Sequence, residues 1–191
     1  MKMYMKLKKI VFTLSMLGVF FFLTTCRTYE VASVVTDSWP SDIGQARTVG
    51  IGFFEANGVT KTNQNNLNES LAFALRERGF VVRESQETAG LLARNELAVN
   101  RQLSENEVIR FSTMTDARIL LQGRFEEILT RTLLDDLHQV LLHIAIFELR
   151  SGKKIGEIKL YGKDLKYHTG RETLDMARKV ADQFQQMLAG R

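Results

Sequence analysis

"TVGIGFFE", Thr48 to Glu55, is an unbroken apolar run of the length of a buried strand. A polar loop, "EANGVTKTNQNN", follows it. Leu67, Leu71, Ala74 and Leu75 then recur at helical spacing, and Gly79 stands where a helix commonly closes with a left-handed residue. "FVVRE", Phe80 to Glu84, reads as the next strand. Strand, helix and strand with short joins predict a right-handed βαβ crossover, so the sheet holds parallel neighbours.

Further along, Glu87 to Asn95 reads as a helical piece. Ser104 and Glu107 form an S-x-x-E capping box ahead of Val108, Ile109 and Phe111. "ARILLQGRFEEI", Ala117 to Ile128, and "LHQVLLHIAIFEL", Leu137 to Leu149, are long strands, and "KIGEIKLYG" returns after a turn at Ser151-Gly152. Val140, Leu142, Ile144 and Ile146 share a face that should meet Ile158 and Leu160. A three-residue loop, Ser151 to Lys153 with Gly152 left-handed, sets Ile146 against Ile158; a two-residue loop would set it against Glu157.

The chain closes in an amphipathic helix. Leu174, Ala177, Val180, Ala181, Phe184, Met187 and Leu188 make its apolar stripe. Arg171, Glu172, Asp175, Arg178, Lys179, Asp182 and Gln185 take the other side. Such a stripe packs on a sheet. The expectation is one α/β domain over residues 48–191. It holds a mixed sheet of four to five strands in the order β-α-β-(α)-α-β-β-β-α.

"TVGIGFFEANG", "GFVVRES" and "MTDARILLQGRFEEI" followed by a hairpin and a closing helix resemble the superfamily of the curli-secretion lipoprotein CsgG and the penicillin-binding-protein activator LpoB. Gly79-Phe80 and Ala117, Leu120, Leu121 and Gly123 carry the likeness, over residues 48 to 188. These are fold positions, not catalytic ones. The resemblance implies activation of peptidoglycan synthesis or an export-associated assembly. The chain has no spare length for the extra hairpins of a membrane barrel, and it lacks a long proline-rich tether.

Upstream of the fold, Lys2, Lys6, Lys8 and Lys9 precede the apolar run Ile10 to Leu23, which at 14 residues is short for a spanning helix. This is the order of a secretory signal, expected over residues 1–25. Leu23-Thr24-Thr25-Cys26 resembles a bacterial lipobox, with Thr25 where glycine, alanine or serine is usual. The likeness implies lipid on the Cys26 sulfur and cleavage before it. A lone cysteine in an exported chain is a free thiol or a modified one, and the lipid disposes of it. Residues 26–47 are then expected as a tether, with a short strand possible in "YEVASVV". Arg27 and Thr28 carry no acidic retention signal, which favours the outer membrane.

Charge narrows the partners. The chain has 26 Lys+Arg and 22 Asp+Glu, and residues 1–25 hold four lysines and no acid. Residues 26–191 are therefore neutral, with 22 of each sign. A nucleic-acid partner is not expected.

The residues that could carry chemistry do not converge. His138 and His143 lie five apart on one strand and face opposite sides, and His168 stands alone. Glu126 and Glu127 point to opposite faces. Asp135 and Asp136 read as a solvated turn. Gly50 and Gly52 belong to neither a dinucleotide fingerprint nor a phosphate loop, because Glu55 occupies the sixth position. Arg76, Arg78, Arg83, Arg94 and Arg101 are scattered among acids. No metal, cofactor or catalytic group is expected. The expected function is that of a lipid-anchored, non-catalytic envelope module, bound to the membrane through Cys26 and to an envelope protein. Two alternatives stand beside it. One is a surface-exposed ligand-binding lipoprotein. The other is an envelope hydrolase built from His143 with Glu126 or Asp136.

Overall fold

The computed structural model describes residues 29–131, 136–163 and 170–189. Among these, six strands form one mixed sheet and four helices flank it. The strands are β1 (Tyr29–Val35), β2 (Thr48–Asn57), β3 (Val81–Arg83), β4 (Ile119–Arg131), β5 (Asp136–Glu148) and β6 (Lys154–Lys163). The helices are α1 (Lys61–Glu77), α2 (Ser85–Arg94), α3 (Glu105–Ser112) and α4 (Gly170–Ala189). The sheet runs β1-β6-β5-β4-β2-β3. β2 is parallel to β3 and β4, and the other pairs are antiparallel.

Local chemistry sets the helix ends. The Thr60 hydroxyl accepts the Asn63 N–H at 3.2 Å and opens α1. At its far end Gly79 has φ +82°. There the Phe80 N–H reaches the Leu75 carbonyl and the Gly79 N–H that of Arg76, the paired bonds of a Schellman motif. Ser104 and Glu107 close the capping box on α3 as the spacing predicts.

The main core lies between one sheet face and the pair α1 and α4. Val49, Ile51, Ile119, Leu121, Val140, Leu142, Ile144 and Ile158 supply the sheet side, and Leu67, Leu71, Val180 and Phe184 the helix side. The Phe80 and Phe184 rings meet with centroids 5.3 Å apart, tilted by 44°. A smaller core covers part of the opposite face, where α2, α3 and their loop bring Leu92, Leu103, Val108 and Phe111 onto Leu120, Ala145 and Phe147.

Three expectations need correction. First, the segment expected as a tether is largely in the fold. β1 pairs along its whole length with β6, from Tyr29↔Gly162 to Val35↔Gly156, which raises the strand count to six. Trp39, Ile43 and Ala46 are buried in the main core, so this segment supplies apolar surface as well as a strand. Second, the β5–β6 connection is longer than three residues. Ile144 faces Ile158 and Ile146 faces Gly156. The shift is by two residues, so the same apolar face stays inward. Gly152 is left-handed, at φ +71°. Third, Glu172 is buried, on the side of α4 expected to be polar, and Met176 joins the stripe while Leu174 is only half-buried.

Candidate interaction surface

The sheet face opposite α1 and α4 is covered at one end only. Gln122 explains where the cover begins. It is buried, its amide donates to the Leu103 carbonyl at 3.0 Å, and its oxygen accepts the Leu103 N–H at 2.9 Å. Gln102 adds a bond to the Gly123 carbonyl at 3.1 Å. These bonds seat the loop before α3 on β4. Beyond them the same face carries side chains that point to solvent.

The register places these side chains in rows. One row runs Ala32, Lys159, His143, Arg124, Glu55; the next runs Glu30, Tyr161, Leu141, Glu126, Asn57. Apolar groups interrupt the charges: Val34 is 57% and Ile128 47% exposed. Two ionic groups organise the surface. Arg124 bonds Glu55 at 3.1 Å and Glu126 at 3.4 Å, and Asn57 also donates to Glu126. Glu157 takes Lys154 at 2.6 Å, the His143 ring at 3.1 Å and Lys159 at 3.3 Å. Lys154 above all, with His143 and Lys159 behind it, holds the Glu157 carboxyl down at about 2.

This geometry places the residues proposed for hydrolysis. His143 and Glu126 do share the open face, but in the register Arg124 lies directly across from His143. His143 bonds Glu157, and Glu126 is engaged by Arg124 and Asn57. Asp136 falls at the far end of the hairpin opposite Arg131, seven residues from His143. His138 is on the other face, 3.8 Å from Glu127. Asn63 also donates to Glu127 at 3.1 Å, so the two adjacent glutamates serve separate faces. Cys26, Asp135 and His168 lie outside the described residues. Among the described residues no group of three or more His, Cys, Asp or Glu is placed to hold a metal ion. No helix among them is long and apolar enough to cross a membrane. Of the arginines read as solvated, Arg76, Arg78, Arg83 and Arg101 each pair with an acid.

The sequence reading missed Glu157, Lys159 and Tyr161. Their signal was present as the polar half of the alternation in "GEIKLYG". Its meaning depended on which part of that face the helices leave open.

No family model matches the sequence. No curated protein sequence matches it either. Solved structures do. The PelC dodecamer of Paraburkholderia phytofirmans has a TM-score of 0.52 at 14% identity, over 83% of this chain and 98% of that one. The lipoprotein GNA1162 of Neisseria meningitidis has 0.49 at 12% identity, over 72% and 96%. The C-terminal domain of LpoB from Escherichia coli has 0.42 at 14% identity, over 63% and 84%. With PelC this chain shares a fold across nearly the whole of that protein.

Proposed function

We propose that this chain is a lipid-anchored, non-catalytic accessory protein of the bacterial envelope, and that it works by docking an envelope protein on its open half-sheet. The observation that carries the reading is the open face itself. Its cations and anions neutralise one another, and small and apolar side chains are interleaved among them. Such a surface sheds water at moderate cost and selects partners by charge pattern. The lipobox-like Leu23-Thr24-Thr25-Cys26 supplies the anchor. Tyr29 stands three residues after Cys26, a reach of about 10 Å. The domain is then held at the surface of its membrane, where even weak binding becomes effective. Peptidoglycan synthesis and envelope assembly or export are the processes this arrangement suits. The shared fold of PelC, a dodecamer, favours one second reading, in which the partner is another copy of this chain.

The test has three arms. Fatty-acid labelling of cells should mark the wild-type chain and not Cys26→Ala; label on the variant would remove the anchor. A photo-crosslinker at Leu141 or Tyr161 should capture an envelope protein or a second copy. One at the exposed Gln185 of α4 should not. Capture only at Gln185 would overturn the open face as the docking surface. Hydrolytic turnover lost on His143→Ala would replace the reading with an enzyme.

A further inference from the structure

The end of the sheet away from Tyr29 carries a feature that the docking face does not use. Two grooves meet there, of about 460 Å³ and about 480 Å³, and Arg118 and Arg150 line both. Arg47 lines the first and Lys153 the second. The cations enter from three places: the residue before β2, the residue before β4, and the β5–β6 turn. Three acids share the grooves, and each is already engaged. Asp116 is held by Arg83 through two bonds at 2.9 and 2.8 Å. Glu148 is buried and accepts the Ser151 N–H at 2.7 Å. Asp42 pairs with Arg118 at 2.5 Å. No acid of the described residues lies within ion-pair distance of Arg47, Arg150 or Lys153, and all three side chains are exposed. The Nε–H of Arg118 is shielded from solvent and meets no acceptor. Backbone bonds on both sides fix the position of Arg118, from its own N–H to Thr48 and from the Leu149 N–H to its carbonyl.

We infer that this cationic end is a binding site for a phosphate-bearing ligand. The charge excess is local, in a domain that is neutral as a whole, so it is a feature of placement and not of composition. Guanidinium groups match phosphate oxygens in paired hydrogen bonds. Donors arriving from three directions suit a tetrahedral, multiply charged group better than a planar carboxylate. The phosphate can sit on a soluble polymer or on a lipid headgroup. β1 separates the site from Tyr29 by about 20 Å along the sheet. With the anchor at Cys26, the grooves face away from the leaflet that holds the protein. A lipid ligand would thus belong to another membrane surface.

The test uses the full chain carried in phosphatidylcholine vesicles. It is offered inorganic polyphosphate, polyglutamate, or a second set of vesicles containing phosphatidylglycerol. The comparison is the triple variant Arg47→Glu, Arg150→Glu, Lys153→Glu. It leaves the Arg118–Asp42 pair in place and, among the described residues, removes no ion pair. Polyphosphate should bind, weaken as salt rises, and lose at least tenfold in the variant. Bridging of the phosphatidylglycerol vesicles that disappears in the variant would also support the site and name the headgroup as the source. The inference is overturned if neither phosphate probe binds, or if the variant binds as the wild type does. It is also overturned if polyglutamate binds as tightly as polyphosphate, which would assign the grooves to an acidic peptide.

Discussion

Two residues decide more than their size suggests. Gly123 sits in β4 where a methyl group would meet the His143 carbonyl oxygen at 1.9 Å and the His143 carbonyl carbon at 2.9 Å. Both obstacles are backbone, so the strand pair must part to admit a side chain. Gly123→Ala should cost about 3 kcal/mol in urea unfolding. Glu157 acts through charge. Its carboxyl is held at about 2 by Lys154 first, then by His143 and Lys159, against 4.5 for the unperturbed group. A folded-state value below the unfolded one means a contribution that is complete above about 4.5 and fades as the pH falls towards 2. Glu157→Gln should therefore be less stable than the wild type at pH 7. The gap should close in acid, as followed by denaturant midpoints at pH 7, 4 and 2. A constant gap would show that charge is not the cause.

At the scale of elements, α3 and α4 are held in different ways. α3 has eight residues and cannot persist alone. In its capping box the Ser104 N–H and the Ser104 hydroxyl both donate to the Glu107 carboxylate, at 2.9 and 2.8 Å, and Arg101 and Ser104 together hold that carboxyl at about 2. Ser104→Ala should cost about 1 kcal/mol. It should raise hydrogen exchange in α3 before it does so in the strands. α4 depends on packing. Phe184 is fully buried and packs against the tilted ring of Phe80. Phe184→Ala should cost about 3–5 kcal/mol on denaturant unfolding. A value near zero would mean that the stripe does not face this core.

The whole molecule is larger than the unit that begins at Thr48. β1 completes one edge of the sheet, and Trp39 and Ile43 fill the layer beneath α4. Removing residues 1–47 leaves β6 paired with β5 alone, as the new sheet edge, and opens the core. A chain beginning at residue 48 should be less stable than one beginning at residue 29 by about 5 kcal/mol or more, read from their unfolding curves. Equal stabilities would return β1 to the role of a tether.

Much of this was legible in the sequence because it rests on local rules. The apolar run from Thr48 to Glu55, the helix stop at Gly79, the capping box at Ser104 and the stripe of α4 follow from periodicity and capping chemistry, and the structure has each of them. The opposite facing of His138 and His143 follows from the two-residue repeat of a strand. What tertiary structure alone decided is which exposed-looking residues acquire neighbours. "YEVASVV" alternates weakly and reads as no more than a possible short strand within a tether until β6 offers it seven paired positions. Glu172 reads as polar surface until packing encloses it. Arg47, Arg118 and Arg150 stand far apart in the chain, each an ordinary surface arginine. The antiparallel and parallel pairings of β2, β4 and β5 bring their ends together, and a local charge is a sum over space that no linear spacing displays.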